Sequence, residues 1–311
     1  MRIHSRMWLL LPLVVLVGIG LYRCRPSRVP ERAPLINLWW AKEDKLIQLD
    51  LEEYVAGVVA AEMPASFQEE ALKAQAVAAR TLALWSLAQS RRLPEHPDAQ
   101  LSSDYRVDQA WLSKDELKER WGIWGYLRNW TKIRKAVSAT AGEVLIYQGN
   151  YIFPAYHSTS GGRTEDSGNY WTSNLPYLVS VDSLYESHSP WFEHVEKRSV
   201  ATVRAKLAEA LGVSLGESLI IVVTKRFPSG RVCELMVNGR TMSGRRLREI
   251  LELRSSWFSV QQTSSELVFT VKGYGHGVGM SQYGADGYAQ RGWSYQQILS
   301  HYYQGASLVV R

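Results

Sequence analysis

The pattern of hydrophobic and polar positions changes twice along the chain. Residues Met7–Tyr22 form an uncharged, apolar run with no polar face. Between residues 51 and 141 apolar residues recur at helical spacing, whereas after residue 143 short apolar runs separated by turn residues are typical of strands with a few helices between them. The pattern predicts an α+β fold, with mixed helices and antiparallel strands around a substrate groove, preceded by an N-terminal transmembrane helix.

The N-terminal apolar run predicts a membrane anchor. The run is slightly shorter than the ~17–25 residues of a membrane-spanning helix, so a signal-peptide core and a buried core helix are the alternatives. No small-residue cleavage site follows, because the next residues are Arg23 and Cys24. We therefore expect an uncleaved signal anchor over residues 1–22, an Arg- and Pro-rich linker over residues 23–34, and one folded extracytoplasmic domain over residues 35–311.

Local signals predict the ends of the first elements of that domain. Two apolar runs within residues 35–50 predict a β-hairpin, and Asp50 is a suitable N-cap for the helix that follows. Pro64 ends this helix because proline disfavours helical backbone in the residue before it. Ser66, with Glu69 three positions further on, predicts a capping box at the start of a long Ala-rich helix.

The first group of candidate chemical residues spans these two helices. Glu62 stands at the end of the first helix, and Lys73 and Arg80 share one face of the second, with Gln75 between them in sequence. Charged residues on a buried face need a partner, and Glu62 would be one. A structural ion pair and a functional site fit this spacing equally well.

Two glycine-containing loops carry further candidate chemistry. Residues 156–165 follow a predicted strand and combine an imidazole, hydroxyls and two glycines, which is typical of a binding loop or of a polar turn. Residues 273–284 have four glycines at alternate positions but not the lysine of a phosphate-binding loop. Such glycines let the backbone approach a ligand or a neighbouring strand, and no second metal ligand stands near His276.

Composition narrows the class of partner. The chain has 311 residues and a formal net charge of +6, and it contains no nucleic-acid-binding motif. We therefore expect its partner to be an anionic surface outside the cell and not a nucleic acid. Two cysteines exclude a scaffold held together by disulfides. The 12 Trp and 16 Tyr exceed what a core of this size usually needs, which favours a groove that stacks flat ligands such as sugars.

Three segments taken together resemble one protein family. They are residues 62–81, which begin Glu-Met-Pro, residues 157–162 (His-Ser-Thr-Ser-Gly-Gly) and residues 275–284 (Gly-His-Gly-Val-Gly-Met-Ser-Gln-Tyr-Gly). In this order they closely resemble the SpoIID/LytB family of stage II sporulation protein D. The likeness covers about residues 36–308, and long motifs in a fixed order are far more specific than any one of them alone.

The resemblance implies an activity and partners. Proteins of this family are membrane-anchored peptidoglycan lytic transglycosylases that cut the β-1,4 bond between N-acetylmuramic acid and N-acetylglucosamine. Their substrates are glycan strands stripped of stem peptides, and their products carry 1,6-anhydro ends. They act at the cell membrane with a cell-wall amidase in engulfment during sporulation. A non-catalytic, wall-binding amidase enhancer is the alternative, and an ordinary muramidase is a third function.

The same resemblance implies site residues. Glu62 is the expected catalytic acid and base, and Lys73 and Arg80 are expected to bind the substrate, including its lactyl carboxylate. Some relatives bind zinc through a Cys-Asp-x-x-x-Cys-Gln segment, but residues 103–109 contain no cysteine, so we expect no metal and no cofactor. The residues expected to bind the glycan are Lys73, Gln75, Arg80, Gln109, His157, Ser158, Thr159, Ser160, Tyr170, Gly275, His276, Gln282 and Tyr283.

Overall fold

Helices and short strands alternate along residues 34–311, the part of the chain that this computed structural model describes. The strands are β1 (Leu35–Trp40), β2 (Lys45–Asp50), β3 (Leu101–Ser102), β4 (Glu143–Tyr147), β5 (Asn150–Tyr151), β6 (Tyr156–His157), β7 (Glu193–Ser199), β8 (Ile221–Arg226), β9 (Val232–Val237), β10 (Arg240–Ser243), β11 (Phe258–Gln262), β12 (Glu266–Lys272), β13 (Met280–Ser281) and β14 (Ser307–Val310). The helices are α1 (Leu51–Glu62), α2 (Glu69–Ala88), α3 (Lys114–Ala139), α4 (Ser167–Tyr170), α5 (Val200–Leu211), α6 (Gly244–Leu251), α7 (Gln282–Gln290) and α8 (Tyr295–Tyr302). The predicted α+β class is confirmed.

The predicted membrane anchor, residues 1–22, lies outside the described residues. From residue 34 onward, none of the helices is both long enough and apolar enough to cross a bilayer.

The first elements form largely where the sequence predicts them. β1 and β2 pair as an antiparallel hairpin, and Asp50 caps α1 by accepting a hydrogen bond from the Glu52 backbone N–H at 2.9 Å. The predicted capping box at Ser66 is wrong, because α2 begins at Glu69 and its N-cap, Gln68, makes no side-chain capping bond. The backbone N–H of Gln68 donates instead to Asp286 of α7 at 2.7 Å, so a distant carboxylate fixes the start of α2.

Helix α3 contains the Trp-rich stretch of residues 121–130. Gly122 interrupts its helical backbone with φ 66°, a left-handed value that glycine adopts without strain. Trp121 and Trp130 pack against the core near this break, whereas the Trp124 side chain is 81% exposed. The Trp-rich segment therefore lies partly in the core and partly on the surface.

Two hydrophobic cores lie within the described residues. The first surrounds α2, whose alanines are buried and allow close contacts with α1, α3, α7 and α8. The second lies between helices α5 and α6 and two three-stranded antiparallel sheets, ordered β10-β9-β8 and β11-β12-β7. Short parallel strands β6 and β13 align Tyr156 with Met280 and His157 with Ser281. This pairing brings together the two glycine-containing loops that the sequence singled out.

Candidate active site

An open groove of about 1340 Å³ is lined by residues from many elements of the described chain. They include residues at the end of α1, which belongs to the first core, and residues of α6, which belongs to the second. Many of its lining side chains are aromatic, and such flat apolar faces suit sugar rings. These aromatic residues are Trp85, Tyr105, Phe153, Tyr156, Tyr170, Trp171, Trp191, Tyr274 and Tyr283.

Glu62 lies in the wall of the groove at the last residue of α1. Its Oε1 accepts a hydrogen bond from the Ala110 backbone N–H at 2.8 Å, and its Oε2 accepts one from Gln282 Nε2 at 3.0 Å. No ion pair among residues 34–311 includes Glu62, and burial raises the pKa of its carboxyl above the ordinary value of 4.5. Glu62 is thus a positioned carboxyl group held by neutral donors, which is the setting of a general acid.

Neutral amide and phenol groups surround Glu62. Gln282 Nε2 lies 3.5 Å from Gln75 Oε1, and Gln75 is fully buried behind the groove wall. Gln109 lines the groove, where its Oε1 accepts from the Tyr156 hydroxyl at 2.7 Å and its Nε2 donates to the Tyr54 hydroxyl at 2.9 Å. Burial raises the pKa of Tyr156 well above 10, so this layer adds no charge beside Glu62.

The structure places Lys73 and Arg80 away from the groove, contrary to the expectation that they bind substrate. Lys73 Nζ lies 2.7 Å from Glu70 and 3.3 Å from Glu69 of its own helix, and its side chain is only partly exposed. Arg80 is completely buried, and its Nε and Nη2 each lie 2.7 Å from a carboxylate oxygen of Glu52 at the start of α1. The two residues do share one face of α2, but Arg80 binds the opposite end of α1 from Glu62 and Lys73 binds its own helix.

The His-Ser-Thr-Ser segment divides between the groove and the interior. His157 and Ser158 line the groove, and His157 Nδ1 lies 3.1 Å from the Val278 carbonyl oxygen. Thr159 and Ser160 are buried, with Thr159 Oγ1 only 2.6 Å from the Ser189 hydroxyl. Thr159 and Ser160 therefore shape the loop and do not line the groove.

A buried carboxylate that the sequence analysis missed, Glu186, holds this loop. It accepts hydrogen bonds from the Ser160 hydroxyl at 2.5 Å, from the Gly162 backbone N–H at 2.6 Å and from the Ser281 hydroxyl. These bonds tie the segment around Ser160 to the start of α7. No motif marks Glu186, because its partners are distant in sequence.

The alternating glycines of the second loop make room for protein neighbours. At Gly275 (φ 113°) a Cβ would lie 2.7 Å from the Cβ of His157, and at Gly277 (φ 85°) it would lie 2.3 Å from the guanidinium of Arg231. Gly275 and His276 line the groove, and His276 Nδ1 accepts from the Val278 backbone N–H at 3.0 Å. Burial lowers the pKa of His276 to about 3, with a smaller contribution from the charge of Arg248.

Tyr170 and Tyr283 lie at the groove as expected, and Tyr170 leads to arginines that the sequence analysis did not propose. The Tyr170 hydroxyl accepts from Arg248 Nη1 at 3.0 Å, and the Arg245 guanidinium lies 4.4 Å from the centre of the Tyr170 ring. Tyr283 packs edge-on against Phe67 with 4.9 Å between ring centres. The arginines belong to α6, which the sequence indicates only as a short helix.

The segment of residues 103–109, which lacks cysteine, is held in the fold by an ion pair and by backbone hydrogen bonds. Asp108 forms an ion pair with Arg91 and accepts the Ser102 backbone N–H at 2.9 Å. The Ser103 hydroxyl accepts the Ala41 backbone N–H at 3.0 Å. Across residues 34–311 no three His, Cys, Asp or Glu side chains are grouped to hold a metal ion.

Comparisons with known proteins agree with the motifs. A family profile described as stage II sporulation protein matches residues 41–147, and a profile for a domain of unknown function, DUF8618, matches residues 172–279. The chain is 42% identical over 261 residues to Stage II sporulation protein D of Bacillus subtilis, covering 84% of this chain and 74% of that protein. The same figures hold for the Bacillus amyloliquefaciens protein of that name.

A more distant relative carries a different name. The chain is 27% identical over 308 residues to the Bacillus subtilis protein named Amidase enhancer, covering 81% of this chain and 40% of that protein. The identity and coverage shared with the Stage II sporulation protein D sequences, together with the matching profile, show that this chain belongs to the stage II sporulation protein D family.

Proposed function

We propose that this protein is a membrane-anchored lytic transglycosylase that cuts the β-1,4 bond between N-acetylmuramic acid and N-acetylglucosamine in denuded peptidoglycan strands. The observation that carries the proposal is Glu62, a half-buried carboxyl with a raised pKa, no ion pair among the described residues, and a place in an aromatic groove. A carboxyl that stays protonated toward neutral pH can give its proton to a leaving oxygen.

The pairing of the other groove carboxylates favours a mechanism with one acid. A glycoside hydrolase ordinarily uses two carboxyl groups, one as acid and one as nucleophile or base. The remaining carboxylates that line this groove are each bound to a cation. These pairs are Asp108–Arg91, Glu249–Arg245 and Glu252–Lys206. Glu62 alone among the groove carboxyls of the described chain is left without a counter-ion, which supports a reaction in which the substrate supplies the nucleophile.

The reaction balances with Glu62 as its only titrating group. The protonated carboxyl gives its proton to the glycosidic oxygen as the bond from that oxygen to C1 of the muramic acid breaks. The C6 hydroxyl of the same sugar attacks C1 and closes the 1,6-anhydro ring, and its proton passes to the Glu62 carboxylate. Hydrogen bonds from Ala110 and Gln282 hold the carboxylate between these transfers. No water is consumed, and Glu62 ends protonated as it began.

The family supports a setting for this activity. Relatives named Stage II sporulation protein D suggest a role in sporulation, and we infer that the protein acts in engulfment together with a cell-wall amidase. The apolar N-terminal segment would hold the groove outside the cell membrane. The relative named Amidase enhancer raises a second candidate, a non-catalytic wall-binding role that stimulates an amidase.

Digestion of denuded glycan strands separates these functions. Wild-type protein and Glu62→Gln are incubated with the strands, and mass spectrometry measures 1,6-anhydromuramic ends and reducing ends. We expect anhydro ends from wild type and a rate about 10²–10⁴-fold lower for Glu62→Gln, the usual worth of a general acid. Glu43→Gln, which changes an exposed carboxyl in the β1–β2 turn, is the matched control and should keep the wild-type rate.

Each other outcome overturns a stated part of the proposal. Reducing ends in place of anhydro ends would indicate a muramidase. The absence of both products, with stimulation of an amidase by wild type and by Glu62→Gln alike, would favour the enhancer function. Full activity in Glu62→Gln would show that Glu62 is not the acid.

A further inference from the structure

Five arginines line the groove, and they differ in what neutralises them. Arg91, Arg106 and Arg245 each form an ion pair with a carboxylate. Arg120 and Arg248 have no carboxylate oxygen within 4.0 Å among the described residues. Arg120 is exposed at the rim, where solvent screens its charge.

Arg248 is half-buried and held by neutral acceptors. Its Nε donates to the Leu253 carbonyl oxygen at 3.2 Å and its Nη1 donates to the Tyr170 hydroxyl at 3.0 Å. Within the described chain Nη2 makes no hydrogen bond, so its donors are available to a ligand. The neighbouring Glu249 is occupied by Arg245 and Arg246, at 2.9 Å and 3.9 Å. Arg248 is thus a fixed cation whose charge nothing in the described groove neutralises.

The two groove histidines beside this cation are neutral and have defined tautomers. His157 Nδ1 faces the Val278 carbonyl oxygen and therefore carries the proton, which leaves a lone pair on Nε2. This Nε2 is buried and has no hydrogen-bond partner among the described residues. His276 Nδ1 accepts from the Val278 N–H, so its proton is on Nε2. Burial is the largest cause that lowers the pKa of both rings, and neither histidine competes with Arg248 for an anion.

The other arginines of this region are unsuited to bind an anion. Arg231 is completely buried, and its Nη1 and Nη2 donate to the carbonyl oxygens of Arg163 and Ser160 at 2.9 Å each. Arg254 lies in an adjoining cleft of about 320 Å³, with its guanidinium 3.5 Å from the centre of the Trp191 ring. That cleft also contains the carboxylate of Glu196, which does not line the groove.

We propose that Arg248 binds the lactyl carboxylate of N-acetylmuramic acid and thereby selects glycan strands from which the stem peptide has been removed. The inference rests on the proposed function, because it assigns a substrate group to the same groove. Removal of a stem peptide converts an uncharged lactyl amide into a carboxylate, and a guanidinium with free donors distinguishes the two by charge. Arg248 thus takes the part that the sequence analysis expected of Lys73 and Arg80.

Calorimetric binding measurements test this assignment without requiring cleavage. All proteins carry Glu62→Gln in the full chain, and the two probes are tetrasaccharides of alternating N-acetylglucosamine and N-acetylmuramic acid, one with free lactyl carboxylates and one with lactyl methylamides. At pH 7 the free carboxyl is ionised. A charge-assisted hydrogen bond of ordinary strength corresponds to a change in affinity of about 10- to 100-fold. We expect Arg248→Gln to lower the affinity for the carboxylate probe by that factor and the affinity for the amide probe by less than about 3-fold.

Two further variants keep the test specific. Arg246→Gln removes an exposed arginine of the same helix that does not line the groove, and it should bind both probes as the parent does. Arg248→Lys keeps the charge and should recover part of the lost affinity for the carboxylate probe, a result that a purely structural role would not give. Thermal melts check that each variant is folded.

The remaining outcomes overturn the inference in ways that can be told apart from failure of the proposed function. Equal losses for both probes, or a carboxylate-specific loss in Arg120→Gln instead of Arg248→Gln, would show that Arg248 does not bind the carboxylate. If the parent protein bound neither probe, glycan binding itself would be excluded. If the selectivity appeared as expected but wild type released no anhydro ends, the carboxylate site would stand and the transglycosylase would not.

Discussion

Helices α2 and α6 both carry basic residues on one face, and they use them in opposite ways. On α2, Arg80 is completely buried and bound by both oxygens of Glu52, and Lys73 is bound by two glutamates of its own helix. On α6, Arg248 is oriented by a carbonyl and a phenol and faces the groove without a counter-ion among the described residues. The buried arginine of α2 is part of the interior of the fold, whereas the arginine of α6 is available to a ligand.

The difference shows what helical spacing can and cannot decide. Spacing correctly places Lys73 and Arg80 on one face of α2, and it correctly implies that a buried arginine has a partner. It does not say which end of the preceding helix supplies that partner. Glu52 and Glu62 lie at opposite ends of α1, and the structure pairs Arg80 with the first, whereas no cation of residues 34–311 pairs with the second.

The largest expected effect is a loss of stability when Arg80, the buried arginine of α2, is replaced. Arg80→Met leaves Glu52 without its partner and removes the donors to the carbonyl groups of Val137 and Glu143. Loss of one partner of a buried ion pair typically costs about 3–5 kcal/mol, so the free energy of unfolding in urea should fall by that amount. Arg248→Met should change it by much less, because Arg248 pairs with no carboxylate of the described chain. Comparable losses for the two variants would contradict the distinction between α2 and α6.

Local signals account for the elements that the sequence predicts correctly. The β1–β2 hairpin and the Asp50 cap depend on residues a few positions apart, so sequence alone contains the whole interaction. The expected cap at Ser66 fails because the N–H of Gln68 is bound by Asp286, far along the chain. A local pattern cannot anticipate a competing partner supplied by tertiary contact.

The residues of the candidate site also show that a sequence pattern cannot predict contacts made in the folded protein. Glu62 and Gln282 belong to the segments that carry the family resemblance, which also implies Gln109, and the structure brings all three to one groove. Glu186 and Arg248 belong to no such motif, and their importance comes from burial and from what their neighbours bind. Whether a charged side chain is neutralised depends on its neighbours in the folded protein, so the spacing of residues in the sequence does not predict it.

An effect of intermediate size tests whether Glu62 differs from the carboxylates that pair with cations. It is the pH dependence of the free energy of unfolding. Burial places the pKa of Glu62 in the folded protein above its value in the unfolded chain, so the folded state binds the proton more tightly. The stability this contributes is fully present below the unfolded pKa and is lost as pH rises through the folded pKa. Glu62→Gln does not titrate, so its stability relative to wild type should increase between pH 4 and pH 8 by about 1.4 kcal/mol for each unit of pKa difference.

Urea unfolding of both proteins across this pH range measures the effect, with Glu43→Gln as the control for an exposed carboxyl. The rate of anhydro-end formation should fall with rising pH through the same pKa, because the acid must be protonated at the start of each turnover. A stability difference between wild type and Glu62→Gln that did not change with pH would mean that the carboxyl is not desolvated.

The smallest expected effect concerns Lys73. Lys73→Met removes partly exposed ion pairs with Glu69 and Glu70, and Lys135, 3.1 Å from Glu69, still compensates part of the charge. Exposed pairs contribute less than about 1 kcal/mol, so the urea midpoint should move little and the rate of anhydro-end formation should stay at the wild-type value. A large loss of activity with an unchanged midpoint would place Lys73 on the substrate after all. In that case the part of α2 around Lys73 would belong to the site, and the groove beside Glu62 would be only part of it.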